Sequence, residues 1–148
     1  MDYEALRAGI QAAIPYNNHL GLQYLDVSES TSVVKLPDAD NLKNHVGSQH
    51  AGALFSAGEA ASGGAFLGAF GEHLAGVTPL ARSAEIEYLK LAKGDITATG
   101  SLSESAEQLL DQLGSEGRVE FPVTVELADA DGEVVARMTV HWHVRKNA

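Results

Sequence analysis

The segment SQHAGALFSAGEAASGGAFLGAF, residues 48–70, predicts one long helix with an unusually small face. At about 100° per residue, that face collects Leu54, Ala57, Ala61, Gly64, Ala65 and Gly68. A glycine inside a helix costs about 0.5–1 kcal/mol relative to alanine, and this segment holds Gly52, Gly58, Gly63, Gly64 and Gly68. Such a cost is tolerable where other backbone must approach the helix closely. The segment therefore predicts a central helix enclosed by a sheet.

The flanking sequence supplies the strands that such a sheet needs. Residues 2–14 predict an amphipathic helix, capped by Asp2 and ended by Pro15, and residues 38–47 predict a polar loop. The predicted strands are two short ones within 22–36, joined around Ser28-Glu29-Ser30, followed by 80–91, 95–102, 119–127 and 133–144. A further helix is predicted over residues 105–113, with Ser105 and Gln108 as a capping box and Gly114 as its stop. This order predicts a single α+β domain over residues 1–148.

The composition excludes several classes of function. The net charge is −10, and the ten Lys and Arg residues are scattered apart from Arg145-Lys146, which argues against a nucleic-acid partner. The absence of cysteine excludes disulfide scaffolds and thiol nucleophiles. No apolar run approaches the roughly 18–20 residues of a membrane helix, and the acidic start Met1-Asp2-Tyr3-Glu4 is unlike a secretory signal. We therefore predict a cytoplasmic protein that meets any anionic substrate locally, through a few cations or a helix N-terminus.

The start of the central helix carries the candidate chemistry. Unpaired backbone N–H groups around Ala51 and Gly52 can polarise a carbonyl, and Gly52 lets a substrate approach that backbone. Glu59 lies two turns further along and can act as a general base or a nucleophile. Phe55 and Gly63 share its helix face, which predicts a part-aromatic cleft for an acyl group.

The spacing of these groups has a consequence for assembly. Ala51 and Glu59 are separated by about 12 Å of helix, at about 1.5 Å per residue, whereas both must lie within about 3 Å of one reacting carbonyl. A single helix cannot satisfy this, but two antiparallel copies can. If the segment is catalytic, it predicts at least a homodimer with two equivalent sites. Helical periodicity alone favours the plain alternative, in which Glu59 is a solvated residue.

The run from Asn44 to Glu59 also resembles the active-site segment of hotdog-fold thioesterases, particularly the 4-hydroxybenzoyl-CoA and phenylacetate-pathway groups. Those families show a polar loop residue, then His-Gly-Gly, then a helical acid; here these are Asn44, His50-Ala51-Gly52 and Glu59. The resemblance implies a hotdog fold, in which an antiparallel sheet wraps around a long central helix. It also implies hydrolysis of an acyl thioester such as an acyl-CoA, by homodimers or dimers of dimers that need no metal or cofactor.

The same resemblance implies roles for individual residues. Glu59 is the base or nucleophile, the Ala51 amide polarises the thioester carbonyl, and Asn44 positions that carbonyl or the attacking water. Two departures from the family pattern matter. Ala51 replaces the middle glycine, although its backbone amide survives, and Gly63 stands one turn after the acid, where some members carry a hydroxyl.

Other functions remain open at the level of sequence. A non-catalytic hotdog protein that only binds acyl groups would have the same pattern. His45, fourteen residues before Glu59, resembles the His-to-acid spacing of hotdog acyl-carrier dehydratases, but the prolines that surround that histidine are missing. His50 is predicted to border the substrate while hydrogen-bonding the loop. His141 and His143 share a strand face without an evident third metal ligand, so no metal site is predicted.

Overall fold

The computed structural model describes residues 1–148 as four α-helices and six β-strands. The helices are α1 (Tyr3–Ala13), α2 (Pro15–His19), α3 (Ala51–Phe70) and α4 (Ala106–Glu116). The strands are β1 (Gln23–Val27), β2 (Thr31–Leu36), β3 (Val77–Tyr88), β4 (Ile96–Leu102), β5 (Arg118–Ala128) and β6 (Val134–Lys146). Short 3-10 turns at Asp40–Leu42 and Gly71–Gly76 precede and follow the central helix α3.

All six strands pair antiparallel in one sheet of order β1-β2-β4-β5-β6-β3. The sheet curves around α3, which contacts β2, β4 and β5 most extensively. This arrangement confirms the predicted α+β class and the hotdog fold. The helix α1 packs beside the edge strand β1, whereas nothing in the chain pairs with the outer edge of β3. Arg82 forms a bulge in β3, because Ala81 and Ser83 pair with consecutive residues of β6.

The glycines of α3 have the packing role that the sequence predicts. A methyl group on Gly64 would overlap Ser32 Oγ on β2, and one on Gly68 would overlap the carbonyl oxygen of Ser28. The alanines Ala57, Ala61 and Ala65 are fully buried. The small face of α3 therefore lets the sheet lie directly against the helix backbone.

Several predicted boundaries are corrected by the structure. Pro15 follows the end of α1 at Ala13, as predicted, but it also opens α2, which was not predicted; a proline at the first helical position loses no hydrogen bond. The central helix begins at Ala51 rather than at residue 48, since His50 has extended backbone and caps it. Gly114 is not the stop of α4, which continues to Glu116 and ends at Gly117 with a φ of 75°.

A second hydrophobic cluster lies between the sheet, α4 and the C-terminal half of α3. The strand predicted over residues 119–127 lies within β5, and its alternating apolar side chains are buried, namely Val119, Phe121, Val123, Val125 and Leu127. From the other side, α4 contributes Leu109 and Leu113, and its Ser105–Gln108 capping box is present as predicted. Phe66 stacks on Trp142 at a centroid distance of 5.1 Å. None of the helices combines the length and hydropathy that crossing a bilayer requires.

Candidate functional site

The start of α3 presents a free backbone donor that is exposed to solvent. His50 Nδ1 accepts a hydrogen bond from the Gly52 N–H at 2.8 Å, so its neutral imidazole carries the proton on Nε2. The Ala51 N–H, by contrast, has no hydrogen-bond partner in the chain, and Ala51 is exposed. Of the two backbone N–H groups predicted from sequence, that of Ala51 is therefore free to bind a substrate, whereas that of Gly52 is already hydrogen-bonded to His50.

Most hydrogen-bonding groups of the Asn44 side chain are bonded within the loop before α3. Its Oδ1 accepts hydrogen bonds from the N–H groups of Val46 and Ser48, both at 3.1 Å, and its Nδ2 donates to Ser48 Oγ at 2.8 Å. With both carbonyl lone pairs occupied, one N–H remains available. Asn44 and Ala51 border the same cleft of about 120 Å³, together with Tyr88, whose hydroxyl donates to the Ala51 carbonyl at 3.1 Å.

Glu59 lies in a different cavity, of about 260 Å³. Its lining is mostly apolar and consists of Ile14, Asn17, Tyr24, Glu59, Ala60, Gly63, Phe66, Leu67, Pro79 and Trp142. The half-buried carboxylate accepts no hydrogen bond and forms no ion pair. Burial raises the pKa of Glu59, because the apolar walls disfavour its charged form. Glu59 is therefore not the fully solvated residue that helical periodicity alone favours.

Of the other predicted site residues, Gly63 alone lines one of these two cavities, whereas His50, Gly52 and Phe55 line neither. Gly63 borders the Glu59 cavity, and a methyl group there would come no closer than 3.9 Å to Trp142. Phe55 is 36% exposed on the helix surface, and Gly52 is exposed at the helix start. His45 borders neither the Ala51 cleft nor the Glu59 cavity.

The first hydroxyl after Glu59 along the chain cannot serve its cavity. Ser62 is fully buried; its Oγ donates to the Glu59 carbonyl at 2.7 Å and accepts from Trp142 Nε1 at 3.2 Å. Both of its hydrogen-bonding roles are therefore committed. The departure from the family pattern at Gly63 leaves this position without a replacement hydroxyl.

Sequence reasoning missed two polar residues that share the Glu59 cavity. Asn17, on α2, is only 5% exposed and its Nδ2 donates to Tyr24 Oη at 3.3 Å. The Tyr24 hydroxyl donates in turn to the Ala60 carbonyl at 3.1 Å. Burial and the neighbouring Glu59 carboxylate raise the pKa of Tyr24, which keeps it protonated. Pro15, a residue favoured at the first position of a helix, was the available signal for α2.

The two regions lie at opposite ends of β3. Tyr88, the last residue of β3, contacts Ala51, whereas Pro79 near its start borders the Glu59 cavity. Within one chain the structure brings Asn44 together with Ala51 and keeps Glu59 apart from both.

The strand histidines bind separate carboxylates. His143 Nδ1 lies 2.9 Å from Glu120 Oε1, and His141 Nε2 lies 4.0 Å from Glu85. The hydrogen bonds from His143 and Arg82 lower the pKa of Glu120. These histidines therefore lie beside surface carboxylates on the outer face of the sheet.

Comparisons with known proteins agree with the fold. A family model described as "Domain of unknown function (DUF4442)" matches residues 3–144. A Pseudomonas aeruginosa protein of unknown function, described as a "Probable Thioesterase", is 30% identical with a TM-score of 0.87, and the match covers 97% of this chain and 95% of that one. A search of curated proteins finds no match.

Two more distant structures are similar in fold alone. A Chlorobaculum tepidum protein with unknown function has a TM-score of 0.84 at 14% identity, with 97% of this chain and 94% of that one covered. A mutant of a Staphylococcus aureus thioesterase enzyme has a TM-score of 0.72 at 18% identity, with 89% and 99% covered.

Proposed function

The chain belongs to the DUF4442 family, and on that premise we propose that it hydrolyses acyl thioesters at a site shared between two copies. One observation carries the proposal: α3 holds an unpaired, half-buried carboxylate at Glu59 and an unpaired backbone donor at Ala51. A developing oxyanion requires a hydrogen-bond donor such as the Ala51 N–H, and a water nucleophile requires a proton acceptor such as the Glu59 carboxylate. The 30% identical protein described as a probable thioesterase supports the same reaction class.

The two cavities suit different parts of a thioester. Apart from Asn17, Tyr24 and Glu59, the Glu59 cavity is walled by apolar groups, including Phe66, Leu67 and Trp142, which suit an acyl chain or ring. The Ala51 cleft is more polar and suits the carbonyl oxygen. Its free Ala51 N–H and the one unused N–H of Asn44 are both donors to that oxygen.

The unpaired edge of β3 supports the assembly that joins these cavities. If two copies pair antiparallel along β3, the start of one strand meets the end of the other. Pro79 beside the Glu59 cavity then faces Tyr88 beside the partner's Ala51 cleft. Large apolar side chains are exposed on and just after this strand, namely Leu80, Tyr88, Leu89 and Leu91. Contact between copies would cover them.

The reaction follows from these positions. The Ala51 N–H of one copy polarises the thioester carbonyl, and Glu59 of the other removes a proton from water as its oxygen bonds to the carbonyl carbon. Collapse of the tetrahedral intermediate breaks the carbon–sulfur bond, and Glu59 returns its proton to the leaving sulfur. The products are a carboxylic acid and a thiol. The raised pKa makes Glu59 a stronger base than an exposed glutamate.

A panel of acyl-CoA esters with aromatic, short and long acyl groups tests the proposal. We expect the wild type to release thiol from at least one ester, and Glu59→Ala to lose about 10²–10⁴-fold in kcat. Glu126→Ala is the matched control, because Glu126 is an exposed glutamate of β5 with no ion pair. Failure of the wild type to turn over any ester would refute the proposal; binding without turnover would indicate an acyl-binding protein instead.

A further inference from the structure

Asn17 is the buried polar group that the reaction described above does not use. It sits on α2, is 5% exposed, and lines the Glu59 cavity beside Tyr24. No Lys, Arg or His borders that cavity, so no cation neutralises the carboxylate there. A buried amide of this kind is expected to have all of its hydrogen-bonding groups satisfied.

Its neighbour defines which way the amide of Asn17 points. The Tyr24 hydroxyl has one proton, which it donates to the Ala60 carbonyl. Tyr24 must therefore accept from Asn17, and this places the amide nitrogen of Asn17 toward Tyr24 at 3.3 Å. The Asn17 Oδ1 consequently faces away from Tyr24, and no donor in the chain reaches it. Asn17 Oδ1 and the Glu59 carboxylate are thus two acceptors without donors in the chain, and both belong to residues that line the same cavity.

From this pairing, and building on the proposed thioesterase function, we propose that Asn17 and Glu59 together hold the water that attacks the thioester. One hydrogen atom of this water is donated to the Glu59 carboxylate, and the second hydrogen atom is donated to Asn17 Oδ1. A lone pair of the water oxygen then remains directed at the carbonyl carbon. Glu59 removes the proton that the water donates to it when the new carbon–oxygen bond forms. Asn17 cannot accept a proton and retains its hydrogen bond throughout. Glu59 is therefore a general base and not a nucleophile.

The remaining candidates for this role are excluded by their own contacts. Both lone pairs of Asn44 Oδ1 are occupied by the loop, so Asn44 can only donate. Ser62 is fully buried and does not line the cavity, and Gly63 has no side chain. Among the neutral side chains that line the cavity, Asn17 is the one whose acceptor oxygen has no hydrogen-bond partner in the chain.

Substitutions at Asn17 test the inference in the thioesterase assay. Asn17→Leu keeps the shape but removes the acceptor, and we expect kcat to fall about 10²-fold with KM unchanged. Asn17→Asp restores an acceptor oxygen, so we expect it to keep at least tenfold more activity than Asn17→Leu, about a tenth of wild type or better. Its acid limb should also move to higher pH, because two carboxyl groups then share the cavity. Asn18→Ala, at the exposed neighbouring position, should leave kcat unchanged.

A role of Asn17 in packing alone makes different predictions. Asn17→Asp would then be no better than Asn17→Leu, and that result overturns the inference while hydrolysis by the wild type still stands. An acid limb that does not move in Asn17→Asp overturns it as well, because residue 17 would then not lie beside Glu59. A crystal structure of the wild type provides a readout independent of turnover. We expect an ordered water within about 3.2 Å of both Asn17 Oδ1 and Glu59. Its absence overturns the inference, whereas its presence in an inactive protein refutes the proposed function and the catalytic role together.

Discussion

Subunit complementation gives the most direct test of a site shared between two chains. The two inactivating changes are Glu59→Ala and Ala51→Pro. Proline at residue 51 removes the backbone donor without disturbing the helix, because it would occupy the first position of α3, where no N–H is hydrogen-bonded. His50 already has the extended backbone that a following proline requires, with φ −64° and ψ 140°.

The magnitude follows from the arrangement of the sites. Loss of the general base costs about 10²–10⁴-fold in rate, and loss of one oxyanion donor costs about 10²–10³-fold. In a heterodimer of the two variants, one site combines the intact Glu59 of one chain with the intact Ala51 of the other. The second site lacks both groups. Random pairing makes half of the dimers mixed, so the mixture should recover about 25% of wild-type activity per chain.

The assay is thiol release after the two variants are unfolded together in urea and refolded as an equimolar mixture. A second mixture, of wild type with the Glu59→Ala/Ala51→Pro double variant, contains the same mutations in a different distribution. With shared sites it should also show about 25% of wild-type activity, because its mixed dimers contain no intact site. Sites contained within one chain would instead yield about 50% in this mixture and none in the first. That pair of values would refute the shared site.

Two further predictions concern stability. Because burial raises the pKa of Glu59, the folded protein binds a proton more tightly than the unfolded chain, so stability falls as pH rises from the ordinary glutamate value through the raised one. Glu59→Gln should therefore raise Tm at neutral pH but not below that window, as measured by calorimetry beside Glu126→Gln; equal Tm changes at all pH values would contradict this. Gly68→Ala should destabilise by about 1–3 kcal/mol in urea unfolding, because the methyl group would overlap the Ser28 carbonyl. Gly9→Ala in α1, where the space is open, should stabilise by about 0.5–1 kcal/mol, and a loss there would contradict the packing argument.

Sequence reasoning succeeded where one periodic pattern had one structural explanation. The alternation from Val119 to Leu127 predicted a half-buried strand, and the small residues of the central segment predicted a helix under close backbone contact. Helix boundaries were less well predicted, because a glycine can lie inside a helix as well as end it. Gly114 lies inside α4, whereas Gly117, with positive φ, ends it.

The candidate site was only partly accessible from the sequence for a related reason. Asn44, Ala51 and Glu59 lie close together in the chain, so motif spacing could group them. Asn17 and Tyr24 come from elements more than thirty residues away, and only the packing of α2 and β1 against α3 brings them to Glu59. The spacing argument that Ala51 and Glu59 cannot meet within one helix needed only helix geometry.

The bulge at Arg82 has a consequence for how tightly the proposed assembly must be aligned. A slip of two residues along paired β3 strands would move one chain by about 7 Å relative to the other. That displacement exceeds the reach of a hydrogen bond, so a misregistered pair would retain every contact within each chain and still be inert. An irregularity at mid-strand permits fewer alternative alignments than a uniform ladder. Deletion of Arg82 is then expected to abolish hydrolysis without altering any site residue, because the two β3 strands could pair in a shifted register.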